Sequence, residues 1–234
     1  AEVAQLVIIG DIDVKALKDF LEAQIDLPEK TLKTPDHSAV LEPDEVVKHE
    51  TSIEQDILIP SVLYGIKLKP NTTFNTEDAI KHRLSFSIFM DMLFGKTSDI
   101  YEALMDQGLI NDTYGLDVTI EQQYAYCLVG SETKQPDALI KALKESFKVV
   151  KETDLSEQDF FRFKKQMIGS FIQVLDSLES LAHQMSKHLQ ENITFYDVLS
   201  IAQSITLDDV KSHLISLKNE HTHAVNVIIP KNSK

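Results

Sequence analysis

Eight histidines are the side chains in this 234-residue sequence best suited to metal or proton chemistry, because imidazole is the commonest metal ligand and titrates near neutrality. Their spacing decides whether they can act together. His183 and His188 fall five apart on a predicted helix, a step of roughly 140° around its axis, so they do not share a face and read as helix-surface polar residues. Glu220, His221 and His223 lie just before or within a predicted last strand, where the two histidines point the same way at period two. With one more ligand that trio could hold a metal; the spacing favours a solvated turn entering a strand. His37, His49, His82 and His213 have no partner at ligand spacing. Asp208 and Asp209 read as first-turn charges favoured by the helix dipole rather than as catalytic carboxylates.

Other chemistry is thin. The sequence has no phosphate-binding loop, no dinucleotide glycine fingerprint, no G-x-S-x-G and no C-x-x-C pair. Phe160, Phe161, Phe163 and Phe171 could line a peptide or lipid groove, but helical spacing among Met and Leu favours core. A formal charge of -14 disfavours nucleic acid, whose affinity comes from clustered Lys and Arg. The single cysteine, Cys127, cannot form an internal disulfide and suits a reducing compartment. No apolar run is long enough to span a bilayer and no signal-peptide layout opens the chain. These features predict a soluble, cytoplasmic protein without membrane contact.

The elements that would position these residues follow from periodicity. Gln5 to Ile9 has a buried-strand pattern, and a helix follows from about Val14 to Ala23 with Leu17, Phe20 and Leu21 on one face. A proline-punctuated polar stretch over 28–46 reads as an inter-domain linker. The predicted organisation is therefore the last strand and helix of a preceding domain (1–27), the linker (28–46) and a C-terminal domain (47–234).

Within that last domain, Glu45–Glu50 and Asp56–Leu68 are predicted strands, with Pro60 marking an edge or bulge. Thr76 is predicted to cap a helix running to about Leu93 with Ile80, Leu84, Ile88 and Met92 in register. Phe94 to Tyr114, FGKTSDIYEALMDQGLINDTY, forms a corner: Ser98 caps a short helix and Gly108 ends it. Tyr114–Gln123 and Gln123–Gly130 should pair antiparallel, and Pro136 opens another helix. One long helix is predicted from Ser156 to about Glu191, with a capping box at Ser156 and Asp159 and a bend or close contact at Gly169. Thr194 and Thr206 cap two short helices before a closing strand, Ala224–Ile229. This order predicts an α+β fold, a two-layer sandwich with helices packed on one face of a mainly antiparallel sheet.

Four segments, in collinear order, carry a family resemblance. LVIIGDID with its following helix is similar to the "VVGDFD" strand and helix that end the first domain of pitrilysin-type (insulinase, mitochondrial processing peptidase) zinc peptidases. Phe94-Gly95 through Ser98, Tyr101, Leu104 and Gly108-Leu109 resembles that family's "G..SS.L(F/Y)..LRE..GLAY" corner. Asp154 to Phe160 with Lys164 and Lys165 resembles its "isEeeferaKk" helix start, and Ser204 to Val210 its "itleDV" element. The subgroup most resembled is the paired bacterial YmfF/YmfH-type insulinase-like proteins.

The resemblance implies a C-terminal half that closes over the substrate like one shell of a clam. In that family an inverted H-x-x-E-H helix in the first domain holds zinc and activates water. No H-x-x-E-H occurs here, so zinc is expected in a preceding N-terminal half and this chain is expected to be inactive alone. The family's second domain often supplies an Arg and a Tyr that polarise the scissile carbonyl. Met105 and Asn111 stand at those positions, with one residue fewer between them, so the substrate-binding equivalents lack the family's donors; Tyr114 is nearby. Expected partners are the N-terminal catalytic half, a peptide substrate, and a second copy or paralogue in a homodimer or heterodimer. Two functions fit: the substrate-enclosing half of a zinc metallopeptidase, or a non-catalytic scaffold or partner subunit that retained the fold.

Overall fold

The computed structural model describes residues 6–24, 43–70 and 76–231. Among them are strands β1 (Glu50–Gln55), β2 (Ser61–Leu68), β3 (Gly115–Ile120), β4 (Ala125–Glu132) and β5 (His223–Pro230). The helices are α1 (Val14–Gln24), α2 (Thr76–Phe94), α3 (Asp99–Asp106), α4 (Pro136–Val149), α5 (Glu157–Val174), α6 (Leu178–Gln190), α7 (Phe195–Ser204) and α8 (Leu207–Lys211). The strands form one sheet in the order β1-β5-β2-β4-β3. Every neighbouring pair is antiparallel except β1 and β5, which run parallel at one edge. The mainly antiparallel α+β architecture expected from the element order is the one observed.

The period-two pattern of β2 fixes its two faces. Val62, Tyr64, Ile66 and Leu68 point into the helical layer and are buried, while Leu63 on the opposite face is 42% exposed. Across the ladder, Leu63 faces Gly130 of β4 and Asn226 of β5, and Gly65 faces Leu128. Gly130 is required by close approach: a Cβ there would fall 2.5 Å from the Val62 carbonyl oxygen.

Helix α2 is the centre of the helical layer, packing against α3, α5, α7, α8 and β3. It buries the expected Ile80, Ile88 and Met92 and also Phe86, Phe89, Met90, Leu93 and Phe94. A helix apolar on most sides belongs inside a layer rather than on it. Phe147 of α4 lies between the two layers, its ring 5.1 Å from Tyr64 and 4.4 Å from Phe94. Phe160 and Phe163 are core, Phe171 packs against a separate small cluster of Ile80, Ile193 and Val198, and Phe161 is exposed.

Several predicted boundaries shift for identifiable reasons. The long helix of 156–191 is two helices: Ser177 accepts from Ser180 N and starts α6, so a capping residue interrupts an otherwise continuous apolar stripe. Gly169 lies within α5 and makes no close contact, since a Cβ there would meet nothing within 4 Å. Ser156 accepts from Asp159 N, but the Asp159 carboxylate binds the Ser156 hydroxyl and Arg162 instead of the cap's backbone N–H. Complete capping boxes occur at Thr194/Asp197 and Thr206/Asp209. Pro60 sits just before β2, whose place is central; its carbonyl accepts from Thr133 N at 2.8 Å. The strand expected over Glu45–Glu50 does not form: 44–49 run through bends, with Val46 N donating to the His221 carbonyl, and the strand at this edge is Glu50–Gln55.

The N-terminal piece behaves differently. Helix α1 forms where its periodicity places it, yet buries no residue. Residues 6–9 join no strand among the described residues, and Leu6 is 66% exposed. Most of the predicted linker and Gln5 lie outside the described residues.

Candidate functional site

The open face of the sheet meets the 94–114 corner in a groove of about 380 Å³ lined by Leu63, Gly115, Asp117, Leu128, Gly130 and Glu132 with Ser61 and Thr113. Two leucines over a glycine floor give it an apolar base. Asp117 and Glu132, both exposed, give it an acidic rim, and among the described residues no Lys, Arg or His lines it.

The corner positions this groove. Ser98 accepts from Tyr101 N to start α3. At its other end, Gly108 takes φ 65°, Leu109 N donates to the Leu104 carbonyl at 3.0 Å and Gly108 N to the Met105 carbonyl at 2.9 Å. That paired arrangement requires a left-handed residue just after the helix. The chain then turns through Asn111 into β3. Asn111 Oδ1 accepts from Thr113 N (2.8 Å) and Thr113 Oγ1 (2.7 Å), while Asn111 Nδ2 donates to the Glu132 carbonyl (3.1 Å). Its backbone N–H reaches Ser131 Oγ, and Glu132 N donates to Thr113 Oγ1. The Asn111 side chain therefore fastens the corner to β4. Met105 is exposed on α3 and presents a thioether, a weak acceptor without a donor.

Tyr114 is buried, donates its hydroxyl to the Phe94 carbonyl at 2.6 Å, and meets Tyr101 edge-on at 5.0 Å. Burial raises its hydroxyl pKa, with Tyr101 and Asp91 adding to the effect. It is a structural tie. Asp91 was not singled out by sequence pattern, because one carboxylate on an apolar helix resembles a surface residue; burial pushes its pKa up to about 6.

The histidines sort into pairs that sequence spacing hides. His82 and His213, 131 residues apart in number, stack edge-on at 4.8 Å, and Ser85 Oγ lies 2.7 Å from His213 Nε2. His49, predicted to stand alone, is 6.5 Å from the His221 ring, and its Nδ1 bonds the His223 carbonyl at 2.9 Å. His223 lies between Tyr64 Oη and the Leu217 carbonyl, at 2.8 and 3.0 Å. His188 is buried against Glu191, which also holds Arg83 at 2.7 Å. His37 lies outside the described residues. Among the described residues no group of three or more His, Cys, Asp and Glu is placed to hold a metal ion. No helix among them is long and apolar enough to cross a membrane.

The described residues thus form a layered α+β domain whose sheet keeps one face open. The family model for the Peptidase M16 inactive domain matches residues 1–167, and the chain belongs to that family. Among curated proteins it is 29% identical over 208 residues to an uncharacterized zinc protease, YmfH, of Bacillus subtilis (strain 168), covering 88% of this chain and 48% of that protein. The chain thus spans about half the length of that relative. Among solved structures, an M16-like peptidase from Alicyclobacillus acidocaldarius shares the fold with TM-score 0.80 at 23% identity, over 94% of this chain and 52% of that one. A protease from Helicobacter pylori does so with TM-score 0.71 at 18% identity, over 95% and 54%. A peptidase M16 inactive domain from Pseudomonas fluorescens shares it with TM-score 0.61 at 15% identity, over 86% and 48%.

Proposed function

We propose that this chain is the substrate-enclosing C-terminal half of a cytoplasmic, insulinase-like zinc metallopeptidase, inactive by itself. The observation that carries the reading is the match to an M16 inactive domain in a chain spanning about half of its zinc-protease relative. The zinc, the activating glutamate and the water-splitting step belong to the preceding half, to which residues 1–27 contribute a closing strand and helix and from which 28–46 lead as a linker. The exposed Leu6 and the unburied apolar face of α1 support that division. The open face of 47–234 forms the facing wall, and its groove takes peptide side chains. Met105 offers a substrate apolar contact only. Asn111 shapes the wall through its bonds to Thr113 and Glu132.

A second reading has a specific observation behind it. At the two positions where the family often places an Arg and a Tyr, this chain has a thioether and an amide already engaged in the turn. A scaffold or partner subunit, paired with a second copy or a paralogue, tolerates that loss. Peptide cleavage by this chain, by the zinc-loaded preceding half, and by the two together separates the readings. Activity only in the combination is the expected result. Cleavage by this chain alone overturns both readings, and a combination that holds zinc but stays inert establishes the scaffold.

A further inference from the structure

A second concavity lies at the opposite side of the sheet, where β5 begins under the end of α4. This cleft, about 610 Å³, is lined by Lys144, Lys148, Lys218, His49, His221 and His223 among other residues, with Glu220 as the one lining carboxylate among the described residues. Three lysines converging in a chain of net charge -14 run against the composition of the molecule. The volume falls in the range of small-ligand sites, roughly 300–1,000 Å³. Its inner wall is closed by Tyr64, Phe147, Leu217 and Val225, all under 5% exposed, so the ligand-accessible chemistry is that of the cationic rim.

The cleft already shows which chemistry it accepts. Lys148 Nζ holds Glu220 Oε1 at 3.0 Å, and Lys144 Nζ holds Glu50 Oε1 at 2.6 Å just outside the lining. Both pairs are solvent-exposed, so water and salt screen them and a competing anion exchanges with them readily. Lys218 has no ion-pair partner among the described residues. Glu220 opens a three-residue turn, Glu220–Thr222, whose backbone is pinned by the Asn219 side chain accepting from His221 N, which leaves the exposed Glu220 side chain held by Lys148.

We propose that this cleft is an oxyanion-binding site, in which the carboxylate or phosphate of a small ligand displaces Glu220 and engages Lys148, Lys218 and His221. The lowered pKa of Glu220, caused first by its bond to Lys148 and further by His223 and His221, is consistent with a position favourable to negative charge. The site also borders the entry of the chain from its N-terminal piece, because Val46 N donates to the His221 carbonyl at 3.1 Å. Occupancy would therefore be felt along 43–49.

Amide NMR of the chain, titrated at constant ionic strength with inorganic phosphate in one arm and citrate in the other, tests this. Saturable shifts at Lys218, His221 and residues 43–49 are expected. Saturation by phosphate alone, by citrate alone, or by both supports the site and identifies which oxyanion it takes. Combined Lys148→Gln and Lys218→Gln should weaken binding about tenfold, the loss of two contacts of roughly 0.7 kcal/mol each. Glu220→Gln should tighten it about threefold, since it removes the competitor. These side chains are exposed, so the variants are expected to melt with the parent. The proposal is overturned if neither anion saturates these resonances, or if Glu220→Gln weakens binding.

Discussion

Helices α1 and α2 have similar credentials in sequence and opposite fates in the structure. Each carries apolar residues at helical spacing. In α2, nine of nineteen residues are buried between the sheet and four other helices. In α1 none of eleven is buried, and Val14 and Phe20 are 71% and 60% exposed. The difference teaches that an apolar stripe specifies a helix and a need for cover, but not where the cover comes from. For α2 the cover is encoded in the same 234 residues. For α1 our reading places it in the preceding half.

The largest effect that can test this contrast is in the core. Phe147→Ala removes a ring that packs against Tyr64, Phe94 and His223 and should cost about 3–5 kcal/mol in denaturant unfolding. Phe20→Ala, the same deletion on α1, should stay within about 0.5 kcal/mol. Equal losses at the two positions would show that α1 is packed in solution and would break the comparison.

Acid should act on the body too, through His213. Burial, with help from His82 and against the pull of Asp209, lowers its pKa to about 3. Beside it lie Ser85, Phe86 and Phe89, and Lys81 engages Asp209 at 2.8 Å. A histidine kept neutral in the fold stabilises in full above its unfolded value near 6.5, and that contribution falls as pH drops from there toward 3. Glu191 adds a second, lower window. Burial alone would raise its pKa, but hydrogen bonds from His188 and Arg83 outweigh it and bring the value to about 2. Its contribution is present above about 4.5 and is lost as pH falls toward 2. Unfolding midpoints measured from pH 7 to pH 4 should therefore decline, and His213→Phe should flatten the decline above pH 4.5. An unchanged slope in that variant would remove His213 as the cause.

The same contrast explains how much could be read in advance. Local signals were legible: Ser98, Thr194 and Thr206 cap, Pro136 opens α4, and Gly108 closes α3. Asn192 closes α6 in the same left-handed way, with φ 57°, but asparagine is less committed to that conformation than glycine and gave no signal. The break before α6 was hidden because Val174, Leu178 and Leu181 keep helical spacing across it. Long-range meetings were the least legible. His82 with His213 and His49 with His221 are brought together by sheet and helix packing that no local window contains. The groove was half visible, as a corner with a family pattern, but its glycine floor depends on which β4 residue faces Leu63.

Helix caps give a finer version of the test, because the same chemistry is present on both sides. Thr206 accepts from Asp209 N at 3.2 Å to start α8, and Asp13 accepts from Lys15 N and Ala16 N at 3.0 Å to start α1. Thr206→Ala should lower global stability by about 1 kcal/mol. Asp13→Ala should leave it unchanged and reduce only local helicity, since α1 opens without opening the body. A shift of the global transition by Asp13→Ala would couple the two.

The smallest expected effect is the most informative. Removing residues 1–24 should change the unfolding free energy of the remainder by less than about 0.5 kcal/mol, because none of the described residues 6–24 is buried. Adding the preceding half should reverse that indifference. Amides of Leu6 to Ile9 should then gain exchange protection as the strand pairs, and Phe20→Asp, silent in this chain, should weaken association of the halves. Protection without the preceding half, at concentrations where the chain is monomeric, would mean that the strand finds a partner in its own sheet. Protection that rises with concentration of this chain alone would assign the partner to a second copy. In either case α1 would lose its standing as a piece of the neighbouring domain, and the boundary in 28–46 would have to move.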